Sequence, residues 1–78
     1  MTYRNTDNII TACDNIARHC TEIGDGRHGS AWLFDKVMRA FDFEPTEAVT
    51  YMVYLNAPVM SEGTVTIHRD GSYEIRKA

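Results

Sequence analysis

The chain has 78 residues, of which 44% are hydrophobic and 24% are charged, and its formal net charge at pH 7 is −3. This size predicts one domain, residues 1–78, and leaves no room for a separate substrate domain. An acidic chain lacks the basic patch of a general nucleic-acid binder and is unsuited to an anionic membrane surface.

A first helix is predicted from about Asp7 to Ile23, with Thr6 as N-cap and Gly24 as its C-terminal glycine. Apolar residues in this segment recur at intervals of four and three, the period of one helix face: Ile9, Cys13, Ile16, Cys20 and Ile23. Two cysteines two turns apart on one helix are too distant for a disulfide. Together with an N-terminus that has no apolar signal segment, they predict reduced, buried thiols in a cytoplasmic protein.

The next segment, GDGRHGS (residues 24–30), contains a literal G-x-G-x-x-G. In a dinucleotide-binding fold this motif follows a strand and opens a helix. Here it follows a predicted helix, Asp25 within it would repel a phosphate, and the lysine of a P-loop is missing. We interpret it as a helix–helix turn in which Gly26 permits the reversal and Ser30 caps the next helix. No cofactor is expected.

A second helix is predicted over Ser30–Phe41, and Pro45 prevents its continuation. The segment Ala48–Leu55 is rich in β-branched and aromatic residues, which favours a strand; a third helix starting near Thr46 is the alternative.

The C-terminal segment predicts a hairpin, because two alternating runs, Thr64–His68 and Ser72–Arg76, flank an Asp-Gly turn signal. The link before it contains Pro58 and is predicted to be a loop with a short strand around Val59. The expected fold class is therefore α+β: two N-terminal helices packed on one face of a three-stranded antiparallel sheet, in the order ααβββ.

Metal and catalytic chemistry are poorly supported. Cys13 and Cys20 fit the apolar face of a helix, and the histidines do not fall at the spacing of zinc ligands. Ser30 serves as a cap, and Asp42 and Glu44 lie beside Pro45 in a predicted loop, where carboxylates are solvated. We expect no metal, no cofactor and no catalytic residues, so that the protein is not an enzyme; a small enzyme or ligand carrier is the least supported hypothesis.

The segment DFEPTE places three acids, Asp42, Glu44 and Glu47, beside Phe43 and Pro45, and no Lys or Arg occurs between residues 40 and 68. It is either a solvated connection or a docking site for Lys and Arg on a partner protein, where complementary charge steers the encounter. Glu62 in the following loop is expected to join it.

A second candidate surface is the outer sheet face, where Met52 and Tyr54 are predicted to lie among threonines. Exposed Tyr and Met amid small polar residues are common in contact surfaces, although a solvated face with scattered apolar residues is equally ordinary. This surface is a candidate contact with a partner or with a second copy, so both a monomer and a homodimer are compatible with the sequence.

Two functional hypotheses follow. The first is a protein that occupies a basic surface of a larger protein, without direct nucleic-acid or membrane binding. The alternative is a winged-helix DNA-binding regulator, with Thr46–Asn56 as recognition helix and Gly63–Arg76 as wing. The missing Lys and Arg in that segment weigh against it.

The acidic segment DFEPTE and the hairpin TVTIHRDGSYEIRK, in a compact chain without a catalytic motif, resemble in general character the small phage-encoded anti-CRISPR proteins. The resemblance implies a non-enzymatic inhibitor that blocks a surface of a larger defence complex, such as a nucleoprotein, in the cytoplasm of a bacterial host. It transfers no functional residue. A net charge of −3 is modest, so steric occupation is a better expectation than mimicry of DNA.

Overall fold

A computed structural model describes residues 6–23, 29–56 and 61–78. Within these ranges the elements are α1 Thr6–His19, β1 Cys20–Ile23, α2 Ser30–Phe43, β2 Ala48–Leu55, β3 Ser61–His68 and β4 Tyr73–Lys77. The strands form one antiparallel sheet in the order β1-β2-β3-β4. The α+β class is confirmed, whereas the predicted three-stranded sheet is wrong because a fourth strand precedes α2.

The additional strand consists of the last residues of the predicted first helix. The helix ends at His19, where Asn56 bonds its final carbonyl groups. The Asn56 backbone N–H donates to the His19 carbonyl at 2.8 Å, and the Asn56 side-chain amide donates to the Arg18 carbonyl at 3.1 Å. The last carbonyls of a helix have no partner inside it, so Asn56 does what the sequence pattern assigned to Gly24. Gly24 and Gly26 lie outside the described residues.

A β-bulge explains why a strand carries helical spacing. Cys20 and Ile23 are three residues apart and would point to opposite faces of a regular strand. The pairing of β1 with β2 shifts between Cys20 and Glu22, so that Cys20 lies opposite Leu55 and Ile23 opposite Val53. Both residues are buried. The extra residue of the bulge thus returns Ile23 to the core face. The spacing of Cys20 and Ile23 is therefore compatible with both a continued helix and a bulged strand.

The second helix begins at Ser30 as predicted and extends two residues beyond Phe41. Ser30 is its first residue rather than its N-cap; Gly29 holds the cap position with φ +104°. Asp42 and Phe43, predicted to lie in a loop, belong to the last helical turn. The strand β2 has its predicted bounds, which removes the third helix that the winged-helix alternative requires.

The hairpin is confirmed with small shifts in its bounds. β3 begins at Ser61, three residues before the predicted start, and β4 covers Tyr73–Lys77 instead of Ser72–Arg76. The short strand predicted around Val59 falls on residues 57–60, outside the described part of the chain.

The core lies between the helices and one face of the sheet. Its buried members come from five elements: Ile9, Cys13, Ile16, Cys20, Ile23, Leu33, Val37, Phe41, Val53, Val65 and Ile67. The predicted outer sheet face is confirmed, because Thr50 and Met52 are exposed on it while Val53, Val65 and Ile67 of the opposite face are buried. The fold therefore leaves one sheet face uncovered by described residues.

The turn at Asp70 and Gly71 predicts a glycine requirement. Gly71 has φ +95°, and a Cβ there would collide with Asn8 of α1. Gly71→Ala should lower the free energy of unfolding by about 2 kcal/mol or more, since backbone strain adds to the collision. Gly29→Ala is the matched control, because Gly29 also has a positive φ but no atom within 4 Å of a Cβ. If urea titrations showed the same loss in free energy of unfolding for both variants, the contact with Asn8 would have no role.

Candidate protein-binding surfaces

The acidic connector, residues 42–47, carries the chain from the last turn of α2 into β2. Glu44 ends the helix: its N–H donates to the Ala40 carbonyl at 3.0 Å, and its backbone is extended with φ −134° and ψ 146°. Pro45 follows, and a residue before proline is disfavoured in helical geometry. The Thr46 hydroxyl donates to the Ala48 carbonyl at 2.8 Å. The connector is thus a turn held by hydrogen bonds that directly follows the end of α2.

Arg69, the residue after β3, holds the connector from the sheet side. Its Nε donates to the Thr46 carbonyl at 2.8 Å, and its Nη2 donates to the carbonyls of Glu44 at 3.1 Å and Phe41 at 3.4 Å. Its backbone N–H donates to the Glu47 carbonyl at 2.9 Å. The guanidinium also lies 4.7 Å from the centre of the Phe41 ring, a cation–π distance. One side chain therefore ties α2, the connector and the hairpin together.

Because Arg69 bonds backbone carbonyls, the acidic side chains of the connector remain exposed. Asp42, Glu44 and Glu47 are all exposed, and together with Arg69 they border one shallow depression. Glu44 and Glu47 form no ion pair with a described side chain. The Phe43 side chain stands among them with 87% of its surface exposed. The connector thus presents an exposed aromatic ring in the same segment as three exposed carboxylates.

The outer sheet face carries the second predicted group. Met52 is 40% exposed and lies opposite Thr64. Thr50 and Thr66 lie opposite each other, and their hydroxyls are 3.0 Å apart. Tyr54, half-buried, lies two residues after Met52 on β2 and therefore shares its face of the sheet. The predicted mixture of Met, Tyr and Thr is confirmed as the composition of this face.

Glu62 belongs to this face and not to the acidic connector. It lies on β3 rather than in a loop, opposite Tyr54, whereas the connector enters β2 at Ala48, opposite His68. Tyr54 lies six positions after Ala48, roughly 20 Å along a strand. The expectation that Glu62 joins the connector is therefore wrong, and the six predicted contact residues form two groups: Asp42, Glu44 and Glu47 in one, and Met52, Tyr54 and Glu62 in the other.

Neither cysteine is placed for chemistry. Cys13 and Cys20 are free and buried, and Cys20 opens β1 instead of sitting in the predicted helix. Burial, with a smaller contribution from the Asp14 carboxylate, raises the pKa of the Cys13 thiol to about 12, and burial raises the pKa of Cys20 as well. Both thiols are therefore protonated at neutral pH. The described residues contain no cluster of three or more His, Cys, Asp or Glu side chains arranged for a metal ion.

Comparisons of the chain with protein-family models, with curated protein sequences and with solved structures found no match. Neither of the two described helices has the length and apolar character needed to cross a bilayer.

The contacts of Arg69 predict a structural role that sequence reasoning missed. Arg69→Ala should lower the free energy of unfolding by about 2 kcal/mol, because it leaves several carbonyls without their charged donor. Arg69→Lys should recover only part of this, since an ammonium cannot reproduce the guanidinium fork. Arg39→Ala is the control: Arg39 pairs with Asp35 at 3.0 Å, but their side chains are 78% and 59% exposed, and such pairs contribute little. Equal losses in urea titrations of the two alanine variants would contradict this role.

The raised pKa of Cys13 predicts a loss of stability in alkali. The unfolded thiol releases its proton near pH 9, whereas the folded thiol keeps it to about pH 12. The stabilisation is thus present below pH 9 and decreases as pH rises towards 12, by up to about 1.4 kcal/mol per pH unit. Urea titrations across this range should show a shallower pH dependence for Cys13→Ala than for the wild type. Parallel profiles would mean that the Cys13 thiol is not protected.

Proposed function

We propose that this chain is a non-enzymatic protein-binding domain whose acidic connector occupies a basic surface of a larger protein, with Phe43 as its anchor. The observation that carries the proposal is the position of Phe43. Its side chain is 87% exposed at the end of a helix, between acidic residues that are exposed as well. A large aromatic ring is costly to leave in water, and aromatic anchors dominate the energy of many interfaces.

The hydrogen bonds that hold the connector support the same proposal. Phe43 lies in the last turn of α2, and Arg69 bonds carbonyls on either side of it, at Phe41 and Glu44. A surface whose backbone is already ordered loses little conformational entropy on binding. The connector therefore suits the presentation of one ring in one orientation.

The charge of the connector favours a partner rich in Lys and Arg. Glu44 and Glu47 have no described cationic partner within the chain, and their carboxylates can pair with side chains on another protein. Complementary charge of this kind accelerates association and fixes the register of docking. The same carboxylates repel the phosphates of nucleic acid, so a protein, including a protein within a nucleoprotein complex, is the proposed partner.

Occupation of a partner's surface gives the domain a function as an inhibitor. The resemblance to anti-CRISPR proteins makes a bacterial defence complex the first partner to test, with steric occlusion as the mechanism. The outer sheet face, with Met52, Tyr54 and Glu62, is the alternative contact surface for the same function.

The test begins with a partner captured from a bacterial lysate and then measures its affinity for purified variants. Phe43→Ala should weaken binding at least about tenfold, mainly through faster dissociation. The double variant Glu44→Lys/Glu47→Lys should slow association and reduce its dependence on salt.

The matched control is Glu22→Lys/Glu62→Lys, which makes the same change of net charge on the outer sheet face. The proposal requires that this control bind far better than the connector variant. If the control loses affinity and the connector variants do not, the contact is the sheet face. If all of them retain wild-type rates, neither surface is the interface.

A further inference from the structure

The outer edge of β4 presents backbone groups that no described strand pairs. β4 is the last strand in the sheet order. At its two ends, the His68 N–H donates to the Ser72 carbonyl at 2.7 Å and the Ala78 N–H donates to the Glu62 carbonyl at 2.9 Å. Bonded and non-bonded pairs alternate along an antiparallel ladder. The even-numbered residues of this segment therefore bond to β3, and Tyr73, Ile75 and Lys77 direct their N–H and C=O groups outward.

We infer that this edge pairs with the same edge of a second copy of the chain, antiparallel and centred on Ile75. In that register Ile75 lies opposite Ile75 of the second copy, and Tyr73 lies opposite Lys77. These are the residues whose backbone groups point outward, so they form bonded pairs and a ladder of about six hydrogen bonds across the twofold axis. The two sheets then become one continuous sheet of two copies.

The charges on β4 select this register. Glu74 and Arg76 flank Ile75, and their side chains are 56% and 79% exposed. Centring on Ile75 places each Glu74 opposite Arg76 of the other copy, twice across the axis. Opposite charges directly across an antiparallel pair are stabilising, and like charges are destabilising.

Other registers lose either the pairing of opposite charges or the ladder of hydrogen bonds. A slip of two residues in one direction sets Glu74 against Glu74, and a slip in the other direction sets Arg76 against Arg76. A slip of one residue sets outward backbone groups against inward ones and leaves no ladder. Among the described residues, the ion pairs of Glu74 are long, 3.6 Å to His68 and 3.8 Å to Arg76, so its carboxylate can also pair with a second copy.

The side chains on the helix side are compatible with the same pairing. Tyr73 and Ile75 are half-buried and pack against the core, while Lys77 is exposed. Opposite Tyr73 of the second copy, the aliphatic part of Lys77 can cover the ring and leave the ammonium in water. The pairing uses no residue of the acidic connector, so it is independent of the proposed function.

The experiment is sedimentation velocity of the purified chain over a range of concentrations up to millimolar, with circular dichroism to verify the fold of each variant. The wild type should show a reversible monomer–dimer equilibrium. Glu74→Arg alone and Arg76→Glu alone each replace two attractions by two repulsions. Each should therefore raise the dissociation constant at least about tenfold.

The decisive measurement is a mixture of these two variants, one of them labelled. In the mixed dimer both arginines of one copy lie opposite both glutamates of the other. The mixture should therefore form a heterodimer at concentrations where each variant alone is monomeric. A wild type that stays monomeric at millimolar concentration overturns the inference, and so does a mixture that associates no better than its components.

A proline variant separates backbone pairing from a merely electrostatic contact. Lys77→Pro removes an outward N–H and leaves the bonds to β3 in place, a substitution that edge strands tolerate. It should raise the dissociation constant of the dimer several-fold relative to Lys77→Ala. Equal dimerisation of the two variants would mean that the edge of β4 is not the interface.

Discussion

The docking of Arg69 onto the end of α2 joins the two layers of this fold at the point where the chain passes from one to the other. A helix terminus leaves carbonyl groups without internal partners, and the chain must then turn through Pro45, which has no N–H to donate. Arg69 donates to the Phe41 and Glu44 carbonyls at this helix end and to the Thr46 carbonyl after Pro45, and it stacks on Phe41, a buried core residue. The same residue begins the β3–β4 turn, so hairpin, sheet and helix meet at one guanidinium.

The acidity of the connector is a consequence of this arrangement. Arg69 is the first Lys or Arg after Arg39, and it borders the same depression as Glu44 and Glu47. Its hydrogen bonds nevertheless go to backbone carbonyls, which leaves those two carboxylates without a described ion pair. Arg69 thus holds the backbone of the connector in place while the acidic side chains stay exposed, which makes this surface negative. Phe43 lies in the same segment, and most of its side chain is exposed.

Sequence patterns predicted those parts of the fold in which one physical signal dominates. The β-branched and aromatic content of Ala48–Leu55 predicted β2, and two alternating runs around an Asp-Gly turn predicted the hairpin, because side-chain propensity and turn chemistry act locally. The strand β1 was missed because Cys20 and Ile23 fit a helical period, and only pairing with β2 and a bulge distinguish the two structures. Asn56, which bonds the end of α1, lies 37 residues beyond His19, a distance over which local patterns carry no information.

The candidate site also combines features that local sequence predicts with features that depend on the fold. The three acids and the exposed Phe43 were readable as a charged segment with an apolar anchor, because charge and hydrophobicity belong to single residues. The part played by Arg69 and the position of Glu62 depend on which strand ends lie together, and no local sequence pattern indicates this. A fold-dependent residue such as Arg69 becomes evident only when its partners, Phe41, Glu44 and Thr46, are seen to converge.

The two edges of the sheet solve one problem in different ways. An unpaired edge invites other strands, and proteins commonly protect it with short length, bulges or charge. β1 has four residues and a bulge, which interrupts its ladder and suits it poorly to pairing. β4 is regular, and its protection consists of charges in the order Glu74, Ile75, Arg76. Such an order is repulsive or unmatched towards most strands, yet it is complementary to itself when reversed. The same side chains that discourage indiscriminate pairing therefore admit one partner, a second β4, in one register.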